Sequence, residues 1–170
     1  MKIPASVRKK AKKIRLLLLD VDGVLTDGRI IIDDRGVETK QFHVRDGQGI
    51  SLLRRAGINV GFLSARSSKS VAYRAKELRI KLVRQGVPDK LVAYNQIKRG
   101  RRLKDEQIAY MGDDIVDRSV LRSVGLAISV ADGWPELVSM VDFVTCAAGG
   151  RGAVREVAEL LLRAQRKWSL

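Results

Sequence analysis

One cysteine among 170 residues, Cys146, excludes an internal disulfide and suits a reducing compartment. Close to Val144, it reads as a small core side chain. No apolar run approaches the ~20 residues that a membrane helix needs. Leu16–Leu19 follow a basic start, but four leucines broken by Asp20 are too few for a signal-peptide core. These absences describe a cytoplasmic chain with no membrane span. Linkers, low-complexity tracts and internal repeats are missing too, and 45% hydrophobic residues suffice for one domain with a full core. Acid is scarce: 19 Asp and Glu face 33 Lys and Arg, a net charge of +14. Residues 1–15 hold seven of those cations and no acid, which marks 1–14 as a basic N-terminal arm ahead of a domain at 15–170. A second run is Lys98, Arg99, Arg101, Arg102 and Lys104. A basic arm suits a nucleic acid or an anionic lipid surface. A solvated tail and cations near a helix C-terminus explain it as simply. Aromatic residues, at 5%, are too few beside these charges for base stacking, so nucleic-acid binding is not the main function expected.

What is present is an alternation of short β-branched or Leu runs with helical stretches, the pattern of a parallel sheet covered on both faces. Strands are expected at 15–19, 60–63, 82–83, 108–111, 126–128 and, shorter, 143–144. Helices are expected at 47–56, 67–78, 88–99, 117–123 and 152–167, with Gly57 and Gly125 at helix ends. The result is an α/β fold, a three-layer αβα sandwich with a Rossmann-like parallel sheet. One insertion interrupts it. Arg29–Ile32, the turn Asp33-Asp-Arg-Gly36 and Val37–Lys40 read as a β-hairpin flap over residues 29–40. No segment is long enough for a separate cap domain, so the hairpin, the C-terminal region or another subunit must cover any site.

Asp20-Val-Asp-Gly23, directly after Leu16–Leu19, places two carboxylates at the end of a buried strand, where ligands bind in open α/β sheets. Asp20 and Asp22 are two apart and can share a side; two such charges in one crevice invite a hard divalent cation. Alone, D-x-D-G is as readily a turn. A second strand-to-acid transition, Met111-Gly-Asp-Asp-Ile-Val-Asp117, decides against that reading. Asp113 or Asp114 can reach the same crevice, and Asp117 follows Asp113 by one helical turn. Ser64-Ala-Arg66 follows the second strand and suits a phosphate group, although a serine there is more often a helix cap. Lys90 comes after Pro88 in a first helical turn, where the dipole disfavours a cation and an anionic partner is expected. A metal and a lysine to neutralise phosphoryl oxygens, one carboxylate to attack and another to handle the leaving-group proton make a set for phosphoryl transfer.

The ordered set Asp20-x-Asp22, Ser64, Lys90 and Gly112-Asp-Asp resembles the haloacid dehalogenase superfamily of phosphohydrolases. Phe42-His-Val-Arg-Asp-Gly47 with Gly49-Ile50, and Ala148-Gly-Gly-Arg-Gly-Ala-Val-Arg-Glu156, are more specific. Together they resemble the small, cap-less 3-deoxy-D-manno-octulosonate 8-phosphate phosphatases, from about Arg15 to about Gln165. The resemblance implies Asp20 as nucleophile, forming an aspartyl-phosphate, and Asp22 as proton donor and later base. It implies Mg²⁺ held by Asp20, the Asp22 carbonyl and Asp113, with Asp114 and Asp117 behind them, Ser64 on a phosphoryl oxygen and Lys90 as the neutralising charge. Arg45, Asp46, Gly47, Arg66 and Arg151 are placed at the substrate, where guanidinium forks suit a sugar-acid carboxylate. A sister family acting on nine-carbon acids lacks arginine at the first and fourth of these, so Arg45 and Arg66 favour the eight-carbon substrate. Two departures stand out: Ser64-Ala65-Arg66 replaces the usual Thr-Gly-Arg, and Arg118-Ser119-Val120 adds a charge after Asp117.

The resemblance further implies a homotetramer whose hairpins and C-terminal segments close neighbouring sites, and a role in lipopolysaccharide sugar biosynthesis. Ile30, Ile31 and Ile32 on the hairpin demand burial somewhere. Two alternatives remain: the same chemistry on a nine-carbon sugar-acid phosphate or another small phosphate monoester, or a non-catalytic basic nucleic-acid-binding protein on this scaffold. His43, the only histidine, has no partner in the scheme and reads as structural.

Overall fold

The computed structural model describes residues 3–168, so the outermost residues of the arm and of the C-terminus lie outside it. Six strands form one parallel sheet: β1 (Leu16–Leu19), β4 (Asn59–Leu63), β5 (Leu82–Arg84), β6 (Ile108–Met111), β7 (Leu126–Ser129) and β8 (Phe143–Val144). Their order is β5-β4-β1-β6-β7-β8, so the winding reverses between β1 and β6. Such a reversal leaves a crevice at the carboxyl ends of those two strands. A two-stranded hairpin, β2 (Ile31–Ile32) with β3 (Glu38–Thr39), stands apart; its paired segments are shorter than expected.

Helices α1 (Ala5–Ala11), α2 (Val44–Arg55), α3 (Lys69–Glu77), α4 (Lys90–Gly100), α5 (Arg118–Leu121), α6 (Pro135–Val138) and α7 (Ala153–Ala164) cover the sheet. Alternation in β1 sends Leu17 and Leu19 to the core beneath α1, α2, α3 and α7, and Leu16 and Leu18 to the core beneath α4, α5 and α6. In β6, Ala109 and Met111 face the first core and Ile108 and Tyr110 the second. That alternation makes the three layers.

Three readings change. The basic arm is not a solvated tail. Val7, Ala11 and Ile14 are buried, and Gln165 donates to the carbonyls of Ala11 and Ile14 at 3.1 and 2.8 Å, which ties α1 to the end of α7. Cys146 is exposed; it follows β8 in a turn whose amide is held by Glu156. Gly125 does not stop a helix in the left-handed conformation. It is where the chain meets the turn at Asp105–Gln107, since a Cβ there would lie 2.4 Å from the backbone of Glu106. Gly57, at φ +79°, does terminate α2.

Candidate active site

The two strand-to-acid transitions meet in the crevice beside β1. Asp20 is buried just past β1, where its Oδ1 accepts from the Val21 amide at 2.7 Å. Its Oδ2 lies 2.7 Å from the ammonium of Lys90, the first residue of α4. Asp89 caps that helix through the amides of Leu91 and Val92, which fixes where Lys90 projects. The cation in a first helical turn finds its anionic partners within the chain, because Lys90 also bonds Asp117 at 2.6 Å. Burial opposes its charge, but Asp20 and Asp117 outweigh that and raise the Lys90 pKa.

Asp117 is fully buried and both its oxygens are engaged. Oδ1 accepts from Lys90 and the Tyr110 hydroxyl, and Oδ2 from the amides of Asp113 and Asp114 at 3.1 and 3.3 Å. Gly112 is obligatory beside it, since a Cβ there would stand 2.5 Å from the Asp117 carboxyl carbon. Tyr110, absent from the sequence reading, is kept a phenol by burial and by the carboxylates of Asp117 and Asp20. Its position in β6, facing α4, explains its reach.

Asp113 differs. Its Oδ1 is buried with no hydrogen-bond partner among the described residues. Burial, then Asp20 and Asp117, push its carboxyl up to about 8. Burial and Asp117 raise Asp20 to about 7 against the pull of Lys90. Carboxylate oxygens of Asp20, Asp113 and Asp117 lie within 4.8 Å of one another. With Asp117 already saturated, Asp20 and Asp113 are the pair free to hold a hard cation. An orphaned, desolvated carboxylate oxygen next to a second carboxylate is the donor set that such an ion satisfies. Gly23 allows the approach: φ is +85°, and a Cβ would lie 1.9 Å from Asp113 Oδ2.

Asp22 lines the mouth of the same cavity, of about 250 Å³, with Ser64, Arg66 and Asp114. Lys40, at the root of the hairpin, bonds Asp22 and lies 3.2 Å from Glu38, its side chain only 1% exposed. Arg66 spans Glu38 at 2.6 Å and Asp22 at 3.6 Å. The hairpin is thus latched to Asp22 by a four-membered charge network, of which Lys40 and Glu38 were missed. Ser64 is buried; its Oγ accepts from the Arg66 amide at 3.2 Å. Asp114 caps the turn at Ile115–Asp117 and stays exposed.

Arg45, Asp46, Gly47 and Arg151 do not line this cavity. Asp46 is buried beneath the start of α7, accepting from the amides of Gly152 and Arg155 at 3.2 and 2.8 Å. Burial nonetheless raises its pKa. Gly47 gives room to Arg74, Arg45 is exposed, and Arg151 pairs with Asp27 at 3.3 Å. The two most specific sequence stretches therefore hold each other. Gly149 and Gly150, in turn, press on the loop after β1: a Cβ on Gly149 would lie 1.7 Å from the Gly23 carbonyl oxygen, and Gly150 donates to Val24 at 2.9 Å. These residues brace the acidic loop from behind. His43 carries a buried Nδ1 with no partner among the described residues and stays outside the charge network.

No family model matches the chain. Among curated proteins, the 3-deoxy-D-manno-octulosonate 8-phosphate phosphatase of Escherichia coli strain K12 is 46% identical over 165 residues, 97% of this chain and 88% of that protein. The crystal structure of the Yersinia pestis phosphatase of that name superposes with a TM-score of 0.95 at 45% identity, covering 96% of this chain and 88% of that one. The Moraxella catarrhalis phosphatase, crystallised with magnesium, phosphate and KDO, gives 0.92 at 43% identity over 94% of this chain and 92% of that one. At 46% identity over 97% of its length, the chain belongs to the 3-deoxy-D-manno-octulosonate 8-phosphate phosphatase family of the haloacid dehalogenase superfamily.

Proposed function

We propose that this chain is a magnesium-dependent phosphatase that hydrolyses 3-deoxy-D-manno-octulosonate 8-phosphate to the free sugar acid and phosphate, a step in lipopolysaccharide sugar biosynthesis. The observation that carries the reading is Asp20, 2.7 Å from Lys90 and beside an Asp113 whose buried oxygen lacks a donor among the described residues, in a chain of this family. Mg²⁺ would be held by the carboxylates of Asp20 and Asp113 with the Asp22 carbonyl, and when bound it supplies positive charge to the phosphoryl oxygens and to these carboxylates.

The chain's own groups do the rest. Asp20 forms a bond to phosphorus as the ester oxygen leaves, giving an aspartyl-phosphate. Lys90 neutralises the carboxylate and the incoming phosphoryl group, and the Ser64 hydroxyl donates to a phosphoryl oxygen. Asp22 passes to the departing sugar oxygen a proton that the phosphate monoester brings in, then takes one from the water that cleaves the aspartyl-phosphate. Asp117 and Tyr110 hold Lys90 in place. Lys40 and Arg66 hold the Asp22 carboxylate at the mouth, and Arg66, half exposed, is the cation there that suits a sugar-acid carboxylate.

The exposed Ile30, Ile31, Ile32 and Val37 on the hairpin support packing against further copies of the chain, a tetramer on the family's pattern, with Arg45 and Arg151 available to a neighbour's site. A variant held monomeric by charged substitutions at Ile30 and Ile32 should keep its fold and lose most activity; full turnover in that monomer contradicts the arrangement.

The test is phosphate release from the eight-carbon sugar-acid phosphate, a nine-carbon sugar-acid phosphate and an aryl phosphate, with Mg²⁺ and with chelator. Strong metal-dependent preference for the first supports the assignment. Equal, slow hydrolysis of all three leaves a phosphatase of other specificity.

A further inference from the structure

The net charge of +14 is not spread over the molecule. It sits at the end of the sandwich opposite the cavity, where the strands begin and the long helices end. That end comprises residues 8–15, 54–59, 76–81, 98–107, 122–125, 140–142 and 163–168. They hold twenty Lys and Arg against four carboxylates, Glu77, Asp105, Glu106 and Asp142, a balance of +16. The rest of the chain, with thirteen cations and fifteen acids, is at −2. All twenty cations except Lys98 are exposed, and sixteen make no ion pair among the described residues. Contacts across the sheet join these loops into one surface: Lys13 to Glu106 at 2.9 Å, Lys10 to Asp142 at 2.5 Å, and Lys167 to the Ala56 carbonyl at 2.9 Å.

Helix dipoles attract cations to this end, but each helix terminus carries only about half a charge. Four long helices end here, so the dipoles balance about two of the sixteen excess charges. A second observation is independent of that count. All four helices close with the same left-handed residue: Gly57 after α2, but Arg79, Arg102 and Arg166 after α3, α4 and α7, at φ 55°, 53° and 55°. Glycine adopts this conformation without strain, and arginine does not. Arg79, Arg102 and Arg166 thus hold strained positions on this one face, and all three are exposed.

We propose that this end of the molecule binds the phosphate backbone of a nucleic acid, independently of base sequence and away from the phosphatase cavity. Guanidinium forks and ammonium groups match phosphodiesters, and the shortage of aromatics leaves backbone contacts as the means of binding. An anionic lipid surface is the weaker match. Among the described residues, the exposed large apolar side chains, Ile30–Ile32, Val37, Val44, Tyr73, Val92, Ile115, Val116 and Trp134, all lie outside this end, so no described residue there anchors in a lipid interface. The cations also run from α1 and α7 on one face of the sheet to α4 on the other, a spread that a backbone can follow.

The test measures anisotropy of a fluorescein-labelled duplex of arbitrary sequence with the full chain, from about 50 to about 200 mM salt; six phosphate contacts predict a roughly thousand-fold loss across that range. The variant Arg79→Gly/Arg102→Gly/Arg166→Gly removes three cations and relieves three left-handed residues. It should bind about ten-fold or more weakly at low salt, with a salt slope smaller by about 2 to 3. Its Tm and its phosphate release should not fall. Arg35→Gln/Lys69→Gln/Arg84→Gln removes the same charge elsewhere and should leave binding nearly unchanged. Equal losses in both variants, no binding at the lowest salt, or retention only on phosphatidylglycerol vesicles would each overturn the proposal.

Discussion

The two ends of this sheet use charge in opposite ways. At the strands' carboxyl ends, cations are buried or latched: Lys90 between Asp20 and Asp117, Lys40 between Asp22 and Glu38, Arg66 across the same pair. Of the twelve described Lys and Arg outside the basic end, eight pair with a carboxylate, against four of twenty within it. Paired, desolvated charge fixes geometry to fractions of an ångström, which a reaction needs; exposed, unpaired charge fixes little and attracts over a distance, which a polyanion needs. A catalytic family fold thus carries its chemistry at one end and its excess charge at the other.

Neutralising one carboxylate at each end should separate them most. Asp20→Asn should lower phosphate release by on the order of 10³-fold or more, while Asp105→Asn, which loses the partner of Lys98 and Tyr94, should leave turnover within about two-fold. Comparable losses would mean that the carboxyl end has no special chemistry. Next in size, Asp117→Asn leaves buried Lys90 with Asp20 alone, weakens the acceptor of Tyr110 and should destabilise the fold by about 3 kcal/mol in thermal unfolding. Glu106→Gln breaks the exposed pair with Lys13 and should leave Tm unmoved.

The pH response should also be one-ended. Asp20 and Asp113, raised to about 7 and about 8 from 3.8, bind more protons folded than unfolded. Their contribution is fully present below the unfolded value and is lost as pH rises through about 7 to 8. Metal-free protein should therefore lose Tm over that window, and Mg²⁺, which competes with those protons, should raise Tm more at about pH 8 than at about pH 6. A Mg²⁺ effect independent of pH would place the ion elsewhere. The smallest effect is expected from Lys40→Met, which leaves Asp22 with Arg66 alone and should reduce kcat/KM by about ten-fold without changing metal affinity.

Much of this was legible in the chain itself, for identifiable reasons. Leu16–Leu19 running into Asp20, and Ile108–Met111 into Asp113, mark buried strands that end in polar crevices, so strand ends and crevice residues could be read together. What depended on tertiary contact could not. Tyr110 looks like any core aromatic until Asp117 is placed beside it, and Lys40 looks like a solvated hairpin residue until Asp22 is. Asp46 shows the converse: among the described residues it anchors the start of α7 and does not line the cavity, a role that only the folded chain reveals. In the arm, Val7, Ala11 and Ile14 repeat at helical spacing, a signal hidden by the lysines and arginines between them.

The central claim is that Asp20 is the group that attacks phosphorus, with Lys90 and a metal held by Asp113 beside it. The most direct measurement is acid-quenched single turnover with substrate carrying labelled phosphate, in Mg²⁺, on the unaltered chain, Asp22→Asn and Asp20→Asn. Label is expected covalently bound to the unaltered chain, formed more slowly but then retained in Asp22→Asn, which lacks both the leaving-group acid and the base for hydrolysis, and absent in Asp20→Asn. Label retained by Asp20→Asn, or phosphate released at full rate with no protein-bound label in any variant, would contradict it.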